Sequence, residues 1–307
     1  MDMSVLLTQL AMLAAVAFLG FIAGKCGVMN LDANRMISRI VLDITLPCSI
    51  LYSVLSGERL LDKSRMLLTI GLAAGSAVLL ILFANLIVKV FRIEKSLTGV
   101  CKFTTIFTNA IFFGFPLIRS LYGSNALFIA VLFNMLFMIL SYSYGAVVLS
   151  AQRQDFHFHW RSLLTPAVIT SVIAFILYQI DFTVPELILK ILGNVDQITS
   201  PLSMLSVGCA LAFVPVGSMF RYWRLYGAVS VRMVVIPILW ILLLRLLGVS
   251  ELMIAVTAIL IAMPAPASTT MFCARFGGDQ TAASCVIFYS TIFAILSIPV
   301  IGLVLIG

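Results

Sequence analysis

A chain of 307 residues that is 62% hydrophobic and only 10% charged cannot hide its apolar surface in one water-soluble core, since soluble domains carry roughly 25% charged residues. The composition excludes a soluble globular protein and makes the lipid bilayer the solvent. The formal net charge of +7 does not point to nucleic acid, because the basic residues stand singly in short connections between apolar segments, as topology signals do.

Ten segments of bilayer-spanning length are predicted, at approximately 5–24, 34–55, 66–89, 97–121, 125–149, 162–180, 187–214, 222–247, 251–274 and 280–305. The first is long enough to span and has Asp2 where a signal peptide would carry basic residues, so it is read as a retained span. Short connections carry the turn residues Gly27, Asn30, Gly57, Gly123, Pro185, Gly193, Gly217, Gly248, Gly277 and Gly278. The longest polar connection, Gln152 to Arg161, joins two five-span halves, 1–155 and 156–307. Within it, Asp155-Phe-His157-Phe-His159 alternates like metal ligands but has no further ligands nearby, and it is read as an interfacial loop. Cys26, Cys48, Cys101, Cys209, Cys273 and Cys285 fall at no metal-ligand spacing and are read as small packing residues. No metal or cofactor is expected.

Orientation follows from the basic residues. One side collects Lys25, Arg35, Arg39, Lys89, Arg92, Lys95, Lys102, Arg153, Arg161, Arg221, Arg224, Arg232 and Arg275; the other collects Arg59, Lys63, Arg65, Arg119, Lys190 and Arg245. The richer side is expected to be cytoplasmic, with both termini outside a cell membrane crossed many times. An odd number of spans per half makes the second half enter the membrane inverted. Two local likenesses support a repeat: Pro116–Asn125 with Met271–Gln280, and Leu31-Asp32-Ala-Asn34 with Asn194-Val-Asp196-Gln197.

Corresponding positions in the halves hold helix-breaking patches inside apolar spans. One is Thr108-Asn109-Ala110-Ile-Phe-Phe-Gly114-Phe-Pro116 in span four; the other is Met263-Pro264-Ala265-Pro266-Ala267-Ser268-Thr269-Thr270 in span nine. Broken backbone at membrane depth is tolerated only where it lines a cavity or is buried in protein. Two breaks, one per half, point to a transporter substrate site near the midplane. Each break frees N–H groups at one half-helix start and C=O groups at the other half's end. The N–H end favours a carboxylate and the C=O end a proton donor or cation. Asn109 can both donate and accept. Gly114 permits close approach and Pro116 a local break. Pro264 and Pro266 remove two N–H groups. Ser268 and Thr269 can satisfy freed carbonyls or touch substrate. Asp43 is the acid placed deep in a span, where it is a candidate for proton or cation coupling or for a structural hydrogen bond. Asn134, Ser141, Tyr142 and Tyr144 in span five, and Tyr289, Ser290 and Thr291 in span ten, are read as interhelical hydrogen-bonding groups. Arg119 and Arg275 close the two broken spans as topology anchors or anion attractors.

Three stretches resemble the auxin efflux carrier family, the PIN-like transporters and their bacterial relatives. They are Asn34 to Pro47 in span two, ending in Leu46-Pro47; Asn109 to Gly123 in span four, with its Asn, Gly114, Pro116 and Tyr122-Gly123; and Ala262-Met-Pro264 in span nine. The likeness covers essentially the whole chain. It implies an all-α membrane fold of ten helices in two inverted five-helix repeats, like bile-acid symporters and NhaA-type antiporters, with broken helices four and nine crossing beside the substrate. The chain departs from the family in having Thr108 before Asn109, Ala265 after Pro264 and no deep charge in span three.

The expected function is a secondary transporter moving a small organic anion, a carboxylate, by alternating access. Asn109, Ala110, Gly114, Pro116, Pro264, Ala265, Pro266, Ser268 and Thr269 are the substrate-site candidates, with a proton or sodium ion as possible coupling partner. The alternatives are a sodium-coupled symporter and a non-transporting sensor using the same pocket. A homodimer is a further candidate assembly. An intramembrane enzyme has no residues to rest on, since no H-E-x-x-H, G-x-S-x-G or buried aspartate pair occurs.

Overall fold

The computed structural model describes residues 3–56, 63–150, 165–180, 184–214 and 221–306. The Gln152–Arg161 connection, with its Asp-x-His-x-His stretch and the boundary between the two halves, lies outside them. Every regular element among the described residues is a helix. In chain order they are α1 (Met3–Lys25), α2 (Leu31–Ile40), a π turn (Val41–Thr45), α3 (Leu46–Leu55), α4 (Lys63–Val90), α5 (Lys95–Ile106), a second π turn (Ala110–Gly114), α6 (Phe115–Leu140), a third π turn (Ser141–Gly145) and α7 (Ala146–Ser150). There follow α8 (Pro166–Gln179), α9 (Glu186–Ala212), α10 (Trp223–Leu246), α11 (Glu251–Ala262), α12 (Thr269–Phe276) and α13 (Gln280–Ile306).

Local chemistry sets the ends. Asn30 accepts the Ala33 N–H at 2.8 Å to start α2, and Asp279 accepts the Ala282 N–H at 2.9 Å at the head of α13. Thr165 accepts the Val168 N–H at the start of α8, with Pro166 in its first turn, where a missing N–H costs nothing. Gly123 and Gly277 take φ of +80° and +104°, values that side chains with a Cβ resist. Gly277 ends α12, and Gly123 turns the chain inside α6, so the helix before it is a short segment of its own.

Among the described residues, six helical stretches are long and apolar enough to cross a membrane, among them Lys95–Ser150 as one run of 56 residues. That run holds predicted spans four and five, which Gly123 separates by direction rather than by a polar loop. Pro166–Gln179 and Glu251–Ala262 are apolar but shorter. α9 has 27 residues but carries Glu186, Lys190 and Asp196. Large apolar side chains face outward along the long helices: Leu82 and Leu86 on α4, Leu239 and Leu242 on α10, Leu296 and Leu303 on α13. In water this would be a fault; in lipid it is the required surface.

The helices pack in two groups. α1, α2 and α3 gather around α9, with α8 packed on α3, while α4, α5, α6, α10, α11 and α13 gather around the broken segments. The tightest seam joins α1 to α9. A Cβ on Gly20 would meet the Leu205 backbone, one on Gly208 the Ala17 carbonyl, and one on Gly24 the Ala212 side chain. Gly20 and Gly24 lie four apart on α1, as do Gly208 and Ala212 on α9. Such small-residue ridges let backbones touch where lipid provides no hydrophobic drive between helices.

A crossover, a buried arginine and a cavity

The two predicted breaks meet in space and share one plan. A 12-residue helix, α5 or α11, ends in extended backbone at Phe107 (ψ 147°) or Met263 (ψ 151°). A short helix then resumes and runs to a positive-φ glycine, from Phe115 to Gly123 or from Thr269 to Gly277. The Asn109 N–H donates to the Pro264 carbonyl at 2.8 Å, so the breaks are bonded to each other.

Freed backbone groups find partners in several ways. The Asn109 carbonyl accepts from the Phe113 and Gly114 N–H groups, both at 3.2 Å. The Ser290 hydroxyl accepts the Ala265 N–H at 3.0 Å. Thr269 donates to the Pro266 carbonyl at 2.6 Å. The largest contribution comes from Arg232, which is fully buried in α10. Its Nη1 donates to the carbonyls of Ile261, at 2.9 Å, and Met263; its Nη2 donates to those of Thr104, at 3.1 Å, and Phe107, at 3.3 Å. One guanidinium thus holds the C-terminal ends of both α5 and α11. Arg232 is therefore not the membrane-face topology signal expected of it; without it, the basic excess on that side remains about two to one.

Beside the crossover lies a cavity of about 180 Å³. Of the candidate residues, Asn109, Pro266, Ser268 and Asp43 line it. Ala110, Pro264, Ala265 and Thr269 are buried behind its wall as framework. Gly114 has ordinary helical dihedrals, and a Cβ there would press on Leu260 and Met263 at 3.0–3.1 Å, so its role is close approach to α11. Pro116 sits in the first turn of α6, two residues past the π turn, rather than at the break. Asn109 is 3% exposed, and its Nδ2 is buried with no hydrogen-bond partner.

Asn134, Ser141 and Tyr142, read from sequence as interhelical groups, also line the cavity. Tyr289 does bond across helices, to Ser230 at 2.7 Å. The rings of Phe107, Phe103, Phe272 and Tyr142 touch in series, with centroids 4.7, 5.1 and 4.9 Å apart, and form an aromatic flank. Each of the three π turns contributes to the lining, through Leu42 and Asp43, Ile111 and Phe112, and Ser141 and Tyr142. A π turn spreads its backbone to accommodate an extra residue, and such turns concentrate at functional sites.

Asp43 is exposed on the cavity side of its π turn. The buried acid is instead Asp196, 1% exposed and well inside α9. Its Oδ1 accepts from Ser49 of α3 and pairs with Arg119, whose guanidinium also lies 5.8 Å from the centre of the Tyr52 ring. Half-buried Arg119 thus forms an ion pair with buried Asp196 that joins the two helix groups.

No curated protein matches the chain. A family described as membrane transport protein matches residues 5–302, nearly its whole length. With that coverage, the chain belongs to the membrane transport protein family, that of the auxin efflux carriers and PIN-like transporters.

Proposed function

We propose that this family member is a secondary transporter that moves a small organic anion, a carboxylate, by alternating access, with the anion held where the second π turn, ahead of α6, and α12 begin. The observation that carries the reading is the bonded pair of broken helices on the wall of a cavity between two helix groups. The helix starts after each break present N–H groups and partial positive charge. Asn109 adds an unpartnered amide donor beside them. Motion of the α9 group against the crossover group would expose the cavity to each side in turn. The shared plan of the two breaks supports ten spans in two inverted repeats, 1–155 and 156–307. The basic-residue asymmetry supports a plasma-membrane orientation with both termini outside.

Liposomes containing only this protein test the reading. Carboxylates are first ranked by thermal shift, since a ligand of the folded state stabilises it by mass action. At least one stabilising carboxylate should cross the membrane in proteoliposomes and not in empty ones. Binding without flux of any hit would replace the transporter with a sensor. Asp43 is the proposed coupling group: Asp43→Asn should abolish pH-dependent accumulation while exchange persists. Wild-type behaviour of that variant in both pH and sodium series would remove the coupling role.

A further inference from the structure

We propose that Arg232 is the resident counter-cation of the crossover, a specificity-determining residue that gives the cavity its preference for anions without touching the substrate. The proposal deepens the anion reading above. Each helix end carries a partial charge of about half a unit, positive at the start and negative at the finish. The finishes of α5 and α11 therefore carry about one negative charge together, and the four carbonyls held by Arg232 belong to those finishes. A guanidinium is protonated at neutral pH, so the two negative ends are cancelled by a fixed positive charge. The two helix starts are not cancelled in this way. They border the cavity through Asn109, Ile111 and Phe112 on one side and Pro266, Ala267 and Ser268 on the other. Asn109 Nδ2, buried and unpartnered on that wall, is an independent sign that an acceptor belongs there. Without Arg232 the four carbonyls would face the same small volume, and the crossover would be close to neutral. Asp43, which also lines the cavity, acts in the opposite sense, so the sign of the cavity depends on Arg232 staying in its seat.

The test reads the cavity's potential directly and needs no substrate. Ala267→Cys is placed in full-length protein whose Cys26 and Cys48, the cysteines not fully buried, are serine. Its reaction rates with sulfonatoethyl and trimethylammonioethyl methanethiosulfonate are compared with those of free mercaptoethanol. With Arg232 present, the anionic reagent should be favoured by about tenfold or more, as one nearby unit charge at intermediate dielectric allows. Arg232→Lys should keep that preference and Arg232→Met should lose it. A purely structural arginine would change both rates together and leave their ratio alone, with lysine no better than methionine. An unchanged ratio in Arg232→Met, or a preference for the cationic reagent while Arg232 is in place, overturns the proposal. The second criterion holds even if Arg232→Met does not fold. A failure of every carboxylate to bind would count against the function reading alone, because the reagent ratio is measured with no ligand present.

Discussion

The two breaks are alike in plan and unlike in what sustains them. In the first, one asparagine does most of the work. The Asn109 N–H reaches Pro264, its carbonyl gathers Phe113 and Gly114, and its side-chain amide is left buried without a partner. In the second, prolines have removed the N–H groups, and Ser290 and Thr269 satisfy what remains. A buried polar group without a partner is costly. The first break therefore leaves an unpartnered side-chain donor on the cavity wall, whereas the second leaves no buried side-chain group without a partner among the described residues.

Variants can break or sharpen that contrast. Arg232→Met acts on both breaks at once and should have the largest effect. It removes several charge-assisted hydrogen bonds to carbonyls, each worth about 1.5–3 kcal/mol, and should lower stability by about 3 kcal/mol or more in denaturant titrations of purified protein. Wild-type unfolding would mean that the two helix ends need no arginine. Asn109→Ala should weaken carboxylate binding by about ten- to a hundredfold, the loss of one hydrogen bond to an anion, with little change in melting temperature. Unchanged affinity in a folded variant would take Asn109 out of the site. Ser290→Ala should do the reverse. It leaves the Ala265 N–H buried and unsatisfied, costing about 1–2 kcal/mol of stability, while affinity stays within a few-fold of wild type. A large affinity loss there would erase the proposed division of labour. Ser268→Ala, the removal of one neutral hydroxyl from the cavity wall, should be mildest, at about 0.5–1.5 kcal/mol in binding by isothermal titration.

The breaks were legible because proline and glycine declare backbone conformation locally. Pro264 and Pro266 cannot continue a helix, and Gly123 and Gly277 sit where the chain must take positive φ. Arg232 was not legible in the same way. Its partners are four carbonyls on two distant segments, and no residue type marks a carbonyl that lacks a donor. Its depth was the available signal: it lies ten residues inside a span predicted from 222, too deep for a surface anchor. Asp196 gave a similar signal, nine residues into a span predicted from 187, yet its pairing with Arg119 and Ser49 depends on how the helix groups meet. The π turns were hidden for another reason. They change the bonding step from four residues to five without changing which residues are apolar, so Asp43 looked like a buried helix residue rather than one on a cavity rim.

The glycine seam between α1 and α9 has a consequence for biosynthesis. Gly20 and the residues it needs around Gly208 are separated by nearly 190 positions. At translation rates of about 5–20 residues per second, α1 waits roughly 10–40 s in the bilayer before its partner is made. In its most apolar stretch only 22% of residues are buried in the finished protein, so it can stand alone in lipid during that interval. Its notched face, however, is offered to any other small-residue helix nearby. Crowding that face is a danger of assembly rather than of the finished fold, and a bulky residue at Gly20 would do its harm at the ribosome's side, before any transporter exists to be destabilised.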